Sequence, residues 1–428
     1  MAEWDSLPEL ILTHILGYLP RRDRIYCGMV CRTWSRALDN PILWRHLKVY
    51  IDSDLKEPWT NILTMKFGRY IHSLDLAWSK PYMPRQWIRD RLNLIAHDSC
   101  RYFMLLTGEG VQLTCLRLTD WFFAWKFKKM TYHLSNFIST QTKLEYVSFY
   151  NANLGPPEML KLLSSCTRSS HNSLRYVDIR SAFHEWQTAF SFPRFIRALE
   201  RLQFLTVLKI DYPSLSNETL YAIGRSANNV LSFLDIRVRD SDSRGHLISE
   251  DAWHDLCSKC KNLRVGLKLI NICHFEDTSY LLVRGMPLRN FSMISGFVWD
   301  QSRSRNLRAT LKLLIVNFYE TLVEVHLHLR NNREQLDDLL ITMLKQCPLL
   351  QKLDYDGILR SMEVVRDICD LQCDPTYSKF KEIYIQPRSL NLYNHSVIQQ
   401  LQSEFGYKMK SLNIDFHIED ASSVLMFY

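Results

Sequence analysis

A six-residue pattern recurs along most of the chain, with leucine or another apolar residue at its first, fourth and sixth positions. This alternation predicts a short strand in each copy, and successive copies lie about 30 residues apart. Clear copies begin at Leu113, Leu144, Leu174, Leu205, Leu231, Leu288, Leu322, Leu350, Phe380 and Met409, and weaker ones at Ile71 and Leu263.

Helical patterns fill several of the intervals between the predicted strands, as at 157–163, 217–223 and 336–344. A unit of one strand and one helix cannot bury its apolar face alone, so repeated units stack on one another. We therefore expect an α/β fold: a right-handed solenoid shaped like a horseshoe, with a parallel β-sheet on its concave side and helices outside.

The first 50 residues follow a helical pattern instead. Apolar residues spaced by three and four positions define one face of a first helix: Leu12, Ile15, Leu16 and Leu19. Pro20 ends this helix, a second helix is predicted from Arg24 to Leu38, and a third unit from Pro41 to Leu47. A module this small leaves apolar surface exposed, which either binds a partner or caps the repeats.

Four ordered segments of this front module resemble the F-box motif: Leu7-Pro8-Glu9-Leu10, Ile15-Leu16-Gly17-Tyr18-Leu19-Pro20, Val30-Cys31-Arg32-Thr33-Trp34 and Leu43-Trp44-Arg45-His46-Leu47. The remainder resembles leucine-rich-repeat proteins, and the whole chain resembles the F-box-only proteins with degenerate repeats. The expected division is an F-box at 1–50, a linking helical segment at 51–70 and a solenoid of about 12 irregular repeats at 71–428.

The resemblance implies a non-catalytic substrate-recognition subunit of a Skp1–cullin–F-box ubiquitin ligase. Such a subunit docks the Skp1 adaptor, and through it a cullin–RING core, while its repeats hold a protein substrate. Carried over by position, the implied Skp1 contacts are Leu7, Pro8, Leu12, Ile15, Leu16, Leu19, Val30, Cys31 and Trp34. Trp44 is expected in the core of the module, since it can tie the third unit to the first two.

Residues between the apolar positions of each strand should face the concave side. Charged residues on neighbouring strands, such as Asp178, Lys209, Asp235 and Lys268, are expected to pair with one another. Substrate contacts are expected instead from aromatic and histidine residues without an obvious neighbour of opposite charge: Tyr146, Tyr150, Tyr176, Phe233, His326, His328 and Tyr384.

Composition narrows the function classes. The 428 residues contain no apolar run near the roughly 18 residues of a membrane span and no visible secretory signal, so a soluble protein is expected. Eleven scattered cysteines favour reduced thiols in the cytoplasm or nucleus. Cys257, Cys260 and Cys273 with His274 lack a second cysteine pair at zinc-site spacing, so neither a metal nor a cofactor is expected.

Charge and motifs leave one alternative to the ligase-subunit function. The net charge of +8 is mild, and the aromatic and basic segment Trp121–Lys129 suits helix packing better than nucleic-acid binding. No glycine-rich phosphate loop or nucleophile elbow supports an enzyme. The rival is a leucine-rich-repeat scaffold outside any ligase, or a protein associated with nucleic acid. We also predict a polar loop at the rim of the solenoid at 237–246. The apolar residues at 424–428 are expected to cover the last repeat.

Overall fold

A computed structural model describes residues 7–79, 88–121, 128–184, 189–272, 274–295, 306–331, 334–374, 377, 380–388 and 392–419. Three sequence predictions concern residues outside these ranges: the aromatic stretch 122–127, Cys273, and the carboxy-terminal cover 424–428. The chain divides into two compact units, Met1–Leu208 and Lys209–Tyr428, and strand β6 (Val207–Asp211) contains the division point.

The first unit contains the front module and the early repeats. Its helices are α1 Glu9–Gly17, α2 Arg21–Cys27, α3 Arg32–Ala37, α4 Pro58–Phe67, α5 Ile88–Gly108, α6 Lys128–Ser139, α7 Pro156–Ser169 and α8 Pro193–Leu199. Its strands, in addition to the start of β6, are β1 His46–Tyr50, β2 Ser73–Ala77, β3 Cys115–Thr119, β4 Tyr146–Ser148 and β5 Tyr176–Asp178.

The second unit continues the alternation. Its helices are α9 Asn217–Ser226, α10 Glu250–Lys259, α11 Phe275–Ser279, α12 Leu307–Phe318, α13 Asp337–Gln346, α14 Glu363–Cys373 and α15 Leu392–Ser411. Its strands, after the end of β6, are β7 Phe233–Arg239, β8 Arg264–Ile270, β9 Leu288–Ile294, β10 Glu324–His328, β11 Lys352–Gly357, β12 Glu382–Pro387 and β13 Asp415–Ile418.

Within each unit the strands pair in chain order and all described pairs are parallel. Alternate positions are buried, as in β3, where Leu116 and Leu118 are inaccessible while Arg117 between them is partly exposed. This burial follows from the pleat, which sends alternate side chains to opposite faces. The predicted α/β fold of a helical module followed by leucine-rich-repeat units is therefore confirmed. Among the described helices, each is too short or too polar to span a bilayer.

The front module differs from its prediction in two places. The helix predicted from Arg24 to Leu38 is broken into α2 and α3, and Gly28 lies at the break in direct contact with the Leu38 side chain. A β-carbon at Gly28 would meet Cδ1 of Leu38, so a larger residue here would require the Leu38 side chain to shift. The third predicted unit is a 3-10 turn at Pro41–Trp44, after which the chain enters β1.

The last predicted strand was also wrong. Met409 and Leu412 fit the six-residue pattern, but Met409 lies in α15 and is buried there, whereas the strand is Asp415–Ile418. Asn413 adopts a left-handed backbone with φ of 57°, the conformation that commonly ends a helix. The spacing of three residues between Met409 and Leu412 occurs both on a helix face and in this repeat pattern, so the sequence could not separate the two.

The predicted charge pairing needs one correction in the second unit. Gly266, and not Lys268, lies opposite Asp235 on β8, and Lys268 lies opposite Arg237. Asp211 and Arg237 form a buried ion pair, with Nε of Arg237 2.7 Å from Oδ1 of Asp211 and both side chains 9% exposed. Lys209 and Asp235 approach to 3.9 Å in a more exposed position.

These two pairs should differ in their effect on stability. Arg237→Ala leaves the Asp211 carboxylate buried beside the more distant Arg239, and we expect a loss of about 3 kcal/mol in the free energy of unfolding. Lys209→Ala, which removes the more exposed pair, should cost at most about 1 kcal/mol. Urea unfolding of both variants measures the difference, and equal losses would contradict the assigned burial.

Candidate interaction surfaces

Two of the predicted adaptor contacts pack inside the front module. Leu12 and Leu16 on α1 are completely buried, so they form the core of the module and cannot touch a partner. Trp44 is buried as well, donates from Nε1 to the Leu38 carbonyl oxygen at 2.8 Å, and stacks on Phe67 with ring centroids 5.7 Å apart. The regular apolar spacing of α1 therefore identified the inward face of the helix.

The other predicted contacts remain accessible to different degrees. Pro8 and Val30 are exposed, and Val30 retains 70% of its accessible surface. Five positions are half-buried, namely Leu7, Ile15, Leu19, Cys31 and Trp34. Accessible and buried residues are therefore interspersed along the motif, as expected of short helices that pack on one another through one side.

Several exposed apolar residues of the module fell outside the prediction. They are Leu10, Ile11, Tyr18, Tyr26, Met29 and Ile42, of which Leu10 is 80% exposed. A groove of about 640 Å³ lies between α1 and the 3-10 turn, and we call it the front groove. Its lining residues are Leu10, Ile11, Thr13, His14, Gly17, Arg24, Asn40, Ile42, Leu43 and His46. The sequence signal that could have identified this surface is a large apolar residue next to a regularly spaced one, as Ile11 is next to Leu12.

Arg24 holds the two walls of the front groove together. Its Nε donates to the Leu19 carbonyl oxygen at 2.8 Å and its Nη2 to that of Gly17 at 3.0 Å, while Nη1 donates to the Leu43 carbonyl oxygen. Burial lowers the pKa of Arg24 from its usual value. One side chain thereby satisfies carbonyl groups at the end of α1 and in the 3-10 turn, which fixes the groove in a preformed shape.

The open face of the sheet, meaning the side away from the helices, carries an aromatic row in the first unit. Tyr146 and Tyr176 stack with centroids 4.1 Å apart and planes 11° apart. The Arg117 guanidinium lies 4.8 Å from the Tyr146 centroid, and that of Arg180 lies 5.3 Å from Tyr150. The structure thus brings Tyr146 and Tyr176 together, because their strands are adjacent and in register. Burial raises the pKa of Tyr176 above its usual range.

In the second unit, the predicted histidines are not isolated. Nδ1 of His326 and Nε2 of His328 lie 3.1 Å and 3.0 Å from the same oxygen, Oδ2 of Asp354 on the next strand. The expectation that they lack a neighbour of opposite charge was therefore wrong. Tyr384 donates to Glu419 at 3.3 Å. Phe233 lies half-buried, and its ring and the Asp235 carboxylate occupy the space into which a side chain at Gly266 would project.

The shared carboxylate changes the titration of this cluster. Burial alone would raise the pKa of Asp354, but hydrogen bonds and positive charge from His326 and His328 outweigh it and hold the pKa well below its usual range. The hydrogen bond to Asp354 raises the pKa of His328 above its usual value, against the opposing effect of burial. The charged pair is therefore favoured in weakly acidic solution.

The cysteine cluster weighed as a zinc site has other partners. Cys260 is buried and its thiol lies 3.4 Å from the Ala227 carbonyl oxygen. Burial raises the pKa of Cys257 to about 11, so this thiol is protonated at neutral pH. Among the described residues, no group of three or more potential ligands is positioned to hold a metal ion.

Comparison with known proteins identifies the front module. The F-box-like family model matches residues 4–49, which cover α1 to α3, the 3-10 turn and most of β1. Residues 4–49 are an F-box-like domain. The front groove and the buried Leu12 and Leu16 are therefore features of this domain.

Relatives extend the comparison beyond the F-box-like domain. Human F-box/LRR-repeat protein 12 (Homo sapiens) is 35% identical over 77 residues, which cover 18% of this chain and 24% of that protein. F-box/LRR-repeat protein 21 of Mus musculus is 21% identical over 367 residues, covering 82% of this chain and 76% of the relative. F-box only protein 33 of Homo sapiens is 29% identical over 75 residues, which cover 17% of this chain and 14% of that protein.

These matches are consistent with an F-box/leucine-rich-repeat protein. The matched region spans about a quarter of the length of the first curated relatives. The longer match to protein 21 includes the repeat units.

The Asp354 cluster provides a pH-dependent test. The raised pKa of His328 gives stability that is complete below the usual histidine pKa and is lost as pH rises through the raised value. The lowered pKa of Asp354 gives stability that is lost only in strong acid. Asp354→Asn should therefore lower the free energy of unfolding by up to about 1 kcal/mol near pH 5.5 and by less near pH 8.

Urea midpoints at the two pH values measure this effect. Lys352→Gln, which disrupts the neighbouring ion pair with Glu382, is the control and should show no comparable change between pH 5.5 and pH 8. An equal loss at both pH values for Asp354→Asn would rule out a charged histidine at this site.

Proposed function

We propose that this chain is a substrate-recognition subunit of a Skp1–cullin–F-box ubiquitin ligase. In this role the F-box-like domain docks a Skp1 adaptor, the adaptor connects to a cullin–RING core, and the repeats hold a target protein. The chain itself contributes no catalysis. The F-box-like family match and the F-box/LRR relatives support the proposal at the level of the protein class.

The observation that carries the adaptor proposal is the apolar surface of the F-box-like domain. Large side chains such as Leu10, Tyr18, Met29 and Val30 are each at least 66% exposed. A domain in isolation gains nothing from this exposure, and contiguous exposed apolar surface is typical of a binding site. The front groove offers a partner a preformed cavity with Leu10, Ile11 and Ile42 on its walls.

The adaptor proposal is tested by adding charge to this surface without disturbing the core. Leu10→Glu combined with Val30→Glu alters two side chains that make little contact with the rest of the chain. We expect the affinity for purified Skp1 adaptor to fall at least about thirtyfold, because buried apolar anchors dominate interface energetics. Calorimetric titration of the full chain measures the change.

A matched control lies in the second unit. Tyr407→Glu combined with Val316→Glu changes residues that are 83% and 61% exposed, close to the exposure of Leu10 and Val30. This control should bind the adaptor like the unaltered chain. If both double variants lose affinity equally, or if neither does, the F-box-like domain is not the adaptor-binding surface.

We further propose that the open face of the sheet binds the target, and that the protein acts in the cytoplasm or nucleus. The stacked Tyr146 and Tyr176 give a rigid, partly exposed aromatic contact with a polar hydroxyl edge, which suits protein interfaces. The ten described cysteines are all free thiols, in keeping with a reducing compartment.

The target proposal is tested by proximity labelling in cells. Tyr146→Ala combined with Tyr176→Ala should remove a subset of labelled proteins while labelling of the adaptor persists. The control is Tyr132→Ala with Tyr407→Ala, which removes two exposed tyrosines from outer helices and should leave that subset unchanged. An identical labelled set for the chain and the sheet variant would contradict target binding at this row.

A further inference from the structure

Three arginines cluster at the carboxy-terminal ends of α7 and α8 in the first unit. Nη1 of Arg201 lies 3.5 Å from the Ser164 hydroxyl of α7, and Arg168 follows Ser164 by one helical turn. Arg197 precedes Arg201 by four residues at the end of α8. Arg168 and Arg197 are exposed, and Arg201 is half-buried. We call these three side chains the outer arginine cluster.

The outer arginine cluster lacks the close carboxylate partners that some arginines of this fold have. Arg180, Arg308 and Arg366 each form close ion pairs with an aspartate or glutamate. Within the described ranges, Arg168, Arg197 and Arg201 have no carboxylate within ion-pair distance, and Arg197 donates to the Pro193 carbonyl oxygen at 3.3 Å instead.

Electrostatics agree with this geometry. Burial lowers the pKa of Arg201, and the positive charges of Arg168 and Arg197 lower it further, with Glu200 opposing them. The guanidinium groups of Arg168 and Arg197 are therefore close enough to Arg201 to repel it. The partial negative charge at a helix end, about half a charge, offsets only part of this repulsion.

We propose that the outer arginine cluster is a docking site for an acidic segment of a partner protein. Aspartate and glutamate carboxylates match the guanidinium fork in paired geometry and supply the charge that the cluster lacks. Phe204, 40% exposed and three residues after Arg201, offers an apolar contact beside the charges. The site lies outside the F-box-like domain and the open face, so it does not depend on the adaptor proposal.

An acidic peptide suits this surface better than single-stranded nucleic acid. The cluster is compact, whereas nucleic-acid grooves track the phosphate backbone with cations and stack successive bases on aromatic rings. Tyr132, exposed on α6, has Lys161 positioned 4.3 Å from its ring centroid, so that ring is already in a cation–π contact.

The test uses the full chain and three fluorescent probes: a peptide rich in glutamate and leucine, the same peptide with glutamine for glutamate, and an oligothymidine. Fluorescence anisotropy at low and physiological salt should show binding of the acidic peptide that weakens with salt. Arg168→Gln with Arg197→Gln and Arg201→Gln should weaken it about tenfold. The control changes three exposed lysines of the second unit, Lys312, Lys345 and Lys410, to glutamine and should leave affinity within about twofold.

A second variant separates binding from folding. Arg168→Gln with Arg197→Gln spares the hydrogen bond from Arg201 to Ser164 and should weaken the acidic peptide about fivefold with an unchanged thermal midpoint. Equal weakening by the lysine control, equal affinity for the glutamine peptide, tighter binding of oligothymidine, or no binding at low salt would each overturn the proposal.

Discussion

The described strands of this protein bury most of their apolar residues against neighbouring repeats and the helices that cover them, and the remaining features depend on that burial. Leu116 and Leu118 of β3, like Leu234 of β7, have almost no accessible surface. A single repeat could not achieve this, because a strand and a helix alone leave most of their apolar area wet. The stacking of successive repeats, each a strand with its helix, therefore drives the fold.

The same constraint decides what each face of the sheet can do. Because alternate residues must face the core, polar and aromatic residues are confined to the open face, where parallel register aligns them across strands. Asp211 with Arg237, and Tyr146 with Tyr176, are products of this alignment. Most of these side chains are held by neighbours, so a target would meet a rigid surface with few side chains left to order on binding.

The F-box-like domain buries a smaller part of its apolar surface than the repeats do. Its three short helices enclose Leu12 and Leu16, and Trp44 packs on Phe67, but the domain is too small to cover its other apolar residues. Arg24 fixes the geometry of the uncovered region by bonding carbonyl groups on both sides of the front groove. An exposed apolar surface on a fixed scaffold is a feature suited to a permanent partner.

Sequence reasoning succeeded where one periodicity applied and failed where two overlapped. The strands of the repeats were predictable because alternation over six residues has few other causes, whereas Met409 and Leu412 satisfied both a helix face and the repeat pattern. The break between α2 and α3 includes Cys31, whose backbone is extended with φ of −157°, and apolar spacing alone does not reveal it. Regular apolar positions such as Leu12 marked the core of the F-box-like domain, and the exposed surface arose from apolar residues outside that period.

Adaptor binding by the F-box-like domain can be measured by hydrogen–deuterium exchange of the full chain, with and without a saturating Skp1 adaptor. We expect the adaptor to slow exchange in α1, α2, α3 and the 3-10 turn at Pro41–Trp44, and to leave the repeat strands unchanged. Unchanged exchange in the F-box-like domain, or protection confined to the repeats, would show that the adaptor does not bind this domain.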